Sequence, residues 1–196
     1  MTDNERLTAA FERFDAVNAE DPNHDIVNGV EHPRELLYAQ RMTRELDRFA
    51  PDASTALKLA ARSQHIQRWA SPRASYPMDR TGYLRWRTDL KKRHAELAGV
   101  ILAEVGYDEA TVARVQSLLR KESLTTDPEM KTLEDVICLV FLQHYFADFA
   151  AKHDDEKVID IVQKTWKKMS DAGHEAALKL DLPPDALALV VRALGG

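Results

Sequence analysis

Apolar residues recur at intervals of three and four along almost the whole chain. Leu7, Phe11, Phe14 and Val17 mark one helical face, and Leu36, Leu37, Met42, Leu46 and Phe49 repeat the pattern after Pro33, a residue tolerated in a first helical turn. Ala53 to Trp69 reads as a third helix opening within "APDAS", where Asp52 or Ser54 can cap it. Ala70 to Met78, with two prolines, reads as a loop. Tyr83, Trp86, Leu90, Leu97 and Ile101 predict a long helix ending near Gly106, and Val112, Val115 and Leu119 predict the next. Met130 to Lys152 is the most apolar segment, and Asp155 to Asp171 and Pro184 to Leu194 complete the series. No segment alternates with period two over a useful length. The pattern predicts a single all-α helical-bundle domain over residues 1–196 with no significant sheet.

Composition narrows the class. The 196 residues are 44% hydrophobic and 30% charged, enough for one buried core. Val136 to Ala147 lacks a formal charge but falls well short of the ~20 residues that cross a bilayer, so no membrane association is expected. "MTDNERLTAAFERF" is charged throughout and lacks the apolar run of a signal peptide. The single cysteine, Cys138, sits among Val136, Ile137, Leu139 and Val140, which suits a buried thiol in a cytoplasmic protein.

Charge is unevenly spread. The net charge is −5, yet Arg62 to Arg93 holds nine cations against two acids, a local +7 that leaves −12 for the remainder. A basic stretch in an acidic protein suits a local anionic ligand better than general nucleic-acid adhesion. Trp69, Tyr76, Tyr83 and Trp86 interleave with it and could stack on a base, although Trp86 shares an apolar face with Tyr83 and Leu90. "KKMSD" and "QHIQ" resemble fragments of the class I aminoacyl-tRNA synthetase signatures. Those signatures need a parallel sheet, which this pattern does not predict.

Five further features fall in one order along the chain: His32 opening "HPRELLYA", Gln64-His65 in "AARSQHI", His94 opening "HAELAG", Glu122 in "LRKE", and Asp135 in "TLEDVICL". This order resembles the metal-ligand series of the HD-domain phosphohydrolases over roughly residues 30–140, with Gln64-His65 where that family has His-Asp. The resemblance implies an HD-like core over about 30–140, with C-terminal helices over 155–194 packed on it. A bridging carboxylate has two oxygens for two metals, whereas a neutral imidazole offers one lone pair. The implied site therefore holds at most one divalent ion (Mn, Fe, Zn or Ni) through His32, His65 and Asp135. Glu122 or His94 would carry protons, and Arg62, Arg68 and Arg73, with Gln64 beside them, would bind a phosphate. Each residue also has a plain structural role on offer; Asp135, for example, suits the start of a helix through the helix dipole.

At whole-chain level, "PRELLYAQRM", "AARSQHIQRW", "PMDRTGYLRWR" and "LEDVICLVFLQHYFADFAAKHDDEKVIDIVQKTWKKMS" resemble a bacterial and fungal family known as domain of unknown function 4202. That resemblance implies a fold and no activity. Three functions stay open: a metal-dependent phosphohydrolase acting on a nucleotide or small phosphate ester, a catalytically degenerate nucleotide- or RNA-binding protein using segment 62–93, and a helical interaction protein. Oligomeric state is left undetermined.

Overall fold

The computed structural model describes residues 1–123 and 126–195. Helix α1 (Asp3–Asn18) opens on a capping box, in which Thr2 and Glu5 satisfy each other's backbone N–H. A hairpin of β1 (His24–Val27) and β2 (Val30–Pro33) follows, its antiparallel register pairing Asp25 with His32. Helix α2 (Arg34–Phe49) begins at the end of β2. Pro33 gives α2 no side-chain cap, and the buried Asp21 supplies one from outside, its Oδ2 accepting the Glu35 N–H at 3.0 Å.

Helix α3 (Thr55–Ser63) is capped by Ser54 as expected, but it stops six residues before Trp69. Asn18 Oδ1 takes the Gln67 N–H at 3.0 Å, and Gln67 itself adopts left-handed backbone at φ 52°. A helix through this point would need that N–H for its own ladder. Residues 64–70 are therefore turns and a short 3₁₀ segment at Arg68–Ala70, and Gln64 and His65 lie on a turn rather than a helix.

Helix α4 (Arg80–Val105) ends on Gly106 at φ 93°, and α5 (Glu109–Arg120) ends on Lys121, a non-glycine residue at φ 60°. The central helix α6 (Pro128–His144) is shorter than predicted. Tyr145 leaves helical geometry, tilted against Tyr38 with ring centroids 6.1 Å apart, and α7 (Phe146–Ala150) starts beyond it. Helices α8 (Asp155–Trp166), α9 (Asp171–Ala177) and α10 (Pro184–Ala193) follow, α9 being unanticipated.

Two apolar clusters share α6. Its Met130, Leu133, Val136 and Val140 join α1 to α5 through Phe14, Met42, Leu59, Leu102 and Leu118, while Cys138, Leu139 and Leu142 join α7 to α10 through Phe146, Val158 and Val190. The all-α expectation holds, with the small hairpin as its one exception among the described residues.

Candidate functional site

A half-enclosed cavity of about 590 Å³ opens between α2, α4, α6 and the turn after α3, with Lys121 and Lys168 on its wall. A smaller apolar hollow of about 40 Å³, walled by Leu142, Val162, Trp166 and Val190, has no charged lining.

Glu35, 7% exposed, is the hub of the larger cavity. His65 Nδ1 lies 3.3 Å from Glu35 Oε2, and Arg68 Nε lies 4.0 Å from Oε1. Arg68 also approaches His65 Nε2 at 2.9 Å. A guanidinium can only donate, so Nε2 is the bare nitrogen and the proton sits on Nδ1, facing Glu35. Tyr38 stacks on the His65 ring at 4.1 Å with planes 12° apart, and Arg68 lies 5.0 Å from the Trp86 ring centroid. Trp86 in turn donates to Ser71 O at 2.8 Å, fixing the loop below the cavity.

This crowding moves proton affinities. Burial pushes the Glu35 carboxyl up to about 7, with Asp21 adding to the rise and Arg68 opposing it. Burial, then Arg68, holds His65 well below the usual imidazole range. His94 is buried and its Nδ1 donates to Ile66 O at 2.8 Å, which leaves Nε2 as an acceptor; burial and then His65 draw its pKa down to about 3. Both imidazoles are thus neutral at physiological pH, and Glu35 is the group that changes protonation there.

The remaining lining separates by charge. Glu134 is buried and paired with the Lys121 ammonium. Arg34 donates to Asp25 at 2.9 Å, and Arg87 donates to the Tyr83 hydroxyl at 3.1 Å. Lys91 and Lys168 complete the cationic side, and Cys138, raised to about 12 by burial and Glu134, lines the wall as an inert thiol. Gln64, 7% exposed, lines the same cavity, and its Oε1 has no hydrogen-bond partner among the described residues.

Of the residues picked out in the sequence, His65, His94, Gln64 and Arg68 come together here. The others have different neighbours. His32 lies on β2 opposite Asp25, outside the cavity lining. Asp135, 2% exposed, accepts from Ser170 N at 2.8 Å and Ser170 Oγ at 2.6 Å, tying α6 to the start of α9. Glu122 is exposed and bound by Arg120 at 2.6 Å, which holds its carboxyl below the usual range. Arg62 is paired with Asp15 and lies 5.1 Å from the Phe11 ring centroid, while Arg73 donates to Tyr76 O and Asp79 O at 3.1 Å each.

The implied metal set does not fit this arrangement. Both oxygens of Asp135 are engaged by Ser170, and His65 Nε2 meets a guanidinium where a second cation would have to sit. Among the described residues no three His, Cys, Asp or Glu side chains are grouped as metal ligands.

Glu35, Lys121 and Glu134 were missed as site residues. Glu35 had a signal: with Tyr38, Met42 and Glu45 it follows helical spacing on the buried face of α2, where an acid is out of place. Glu134 differs from Asp135 by one residue, which turns a side chain about 100° around a helix.

The sequence profile of the family described as Domain of unknown function (DUF4202) matches residues 8–190, and the chain belongs to that family. No curated protein and no solved structure matches the chain. No helix among the described residues is long and apolar enough to cross a membrane.

Proposed function

We propose that the cavity binds a phosphate-bearing small molecule and that Glu35 exchanges a proton with it, as hydrolysis of a phosphate ester requires. The observation that carries this reading is the lining itself: six cations (Arg34, Arg68, Arg87, Lys91, Lys121, Lys168) against two carboxylates (Glu35, Glu134), with Tyr38, Trp86 and Phe141 as aromatic walls. Such a site pairs anion recognition with apolar contact to an organic group. Protonated Glu35 can deliver its proton to a leaving alcohol oxygen while water attacks phosphorus, and neutral His65 orients the carboxyl. The HD resemblance implies a divalent metal, but of the implied ligands Asp135 is engaged by Ser170, His65 by Arg68, and His32 lies outside the cavity lining.

The test is a thermal-shift and turnover screen with phosphorylated small molecules, with and without EDTA. At least one phosphate ester should raise the melting temperature in EDTA, with a response that shrinks as salt rises and is lost in Arg68→Ala. A response that needs added metal, or that survives Arg68→Ala, would move the ligand out of this cavity.

A further inference from the structure

We infer that the anionic part of the ligand is a diphosphate, held in the cavity by Arg87 and Lys91, by Lys121 and by Lys168. The inference deepens the cavity reading and rests on it.

Charge accounting carries the argument. Three of the six lining cations already have carboxylate partners: Arg34 has Asp25, Arg68 has Glu35, and Lys121 has Glu134. Arg87, Lys91 and Lys168 have no carboxylate within 4.0 Å among the described residues. Arg87 reaches only a neutral hydroxyl, that of Tyr83. Three uncompensated positive charges therefore face one half-enclosed space, and Arg68 adds a fourth whenever Glu35 is protonated. A monoester phosphate carries at most two negative charges, whereas a diphosphate monoester carries about three near neutral pH, the charge this wall leaves unmatched.

The placement of the cations agrees with a divided anion. Arg87 and Lys91 are one helical turn apart on α4 and share a face, while Lys168 reaches the same cavity from the segment after α8. Lys121 is close enough to act on both: burial first, then Lys121 and Arg87, lower Lys91, and Lys168 and Lys121 only partly oppose the rise that burial and Glu134 impose on Cys138. Lys121 ends α5 in left-handed backbone at φ 60°, uncommon for a non-glycine residue, and its ammonium is held at the cavity by Glu134. Cations supplied by α4, by the end of α5 and by the segment after α8 offer separate donors to two linked phosphate groups. Lysines, as compact point charges with rotatable donors, suit such an anion without demanding one fixed plane.

Isothermal titration calorimetry of the full chain in EDTA, with pyrophosphate and inorganic phosphate as probes, tests this. Wild type should bind pyrophosphate at least about tenfold more tightly than phosphate, which is about 1.4 kcal/mol. In the double variant Lys91→Gln, Lys168→Gln that ratio should fall below about threefold with phosphate binding largely retained, since Arg68 and Lys121 remain. A control double variant of two exposed lysines, Lys157→Gln, Lys179→Gln, removes the same net charge and should keep the ratio. Equal binding of the two anions by wild type, or a ratio that survives Lys91→Gln, Lys168→Gln, would overturn the diphosphate while leaving the cavity as an anion site. If neither anion binds wild type, both the cavity reading and the inference fall.

Discussion

Asp135 shows how much a single carboxylate can mislead. Its place in the HD-like series implies a metal ligand and its sequence suggests a helix start, yet it lies in the middle of α6, buried, and spends both oxygens on the backbone and hydroxyl of Ser170. Ser170 Oγ in turn accepts the Gly173 N–H at 3.1 Å, and a Cβ on Gly173 would lie 2.4 Å from Asp135 Oδ1. Asp135→Ala removes two hydrogen bonds to a charged acceptor and strands their donors, which should cost roughly 3 kcal/mol in urea unfolding. A loss below ~0.5 kcal/mol would sink this structural role. The residues that do reach the cavity were partly legible in sequence. His65, His94 and Gln64 stood out through the HD-like series and Arg68 through the basic stretch, whereas Lys121, Glu134 and Lys168 did not. Lys121 reaches the wall through one left-handed residue and Glu134 through a helical rotation; neither leaves a pattern in the chain.

At the scale of elements, the cavity depends on how the loop after α3 is held against α4. Trp86 anchors Ser71, and Tyr76 donates through its hydroxyl to Asp89 at 3.1 Å. Gly82 permits the closest approach: a Cβ there would lie 2.1 Å from the Pro77 carbonyl oxygen. Backbone cannot yield as a flexible side-chain tip can, so Gly82→Ala must push the loop away from α4, at a cost of roughly 1–3 kcal/mol. The expected result is a lower melting temperature with faster proteolysis within residues 71–79; unchanged cleavage there would show that Gly82 does not hold the loop. Element identity was readable from apolar spacing because most helices here bury one stripe. Their ends were less so: α3 stops where Asn18, distant in sequence, captures the Gln67 N–H, and α6 stops where Tyr145 turns toward Tyr38. The strands of the hairpin are four residues each, too short for alternation to register, and its signal was the Asn28-Gly29 pair, both at positive φ in the turn.

Over the whole molecule, the cavity sets two opposing pH dependences. Glu35 titrates near 7 in the folded chain and near its ordinary 4.5 when unfolded, so the folded state holds a proton that the unfolded state releases between those values. Its contribution to stability is fully present below about pH 4.5 and is lost as pH rises through 7. His94, near 3 when folded against an ordinary 6.5, acts the other way, as does His65. Their contribution is present above pH 6.5 and is lost as pH falls. Two buried imidazoles outweigh one carboxyl between pH 6.5 and 4.5, so wild-type stability should fall across that interval on acidification. Glu35→Gln isolates the minority effect. Its amide cannot titrate, so its stability relative to wild type should climb by roughly 2–3 kcal/mol between pH 4.5 and pH 8. Urea unfolding of both proteins across that range measures the difference, and the exposed groups they share cancel in it. A difference that stays flat with pH would mean that Glu35 keeps an ordinary carboxylate affinity in the folded chain. It could not then serve as the proton carrier of the cavity, whatever anion the surrounding lysines hold.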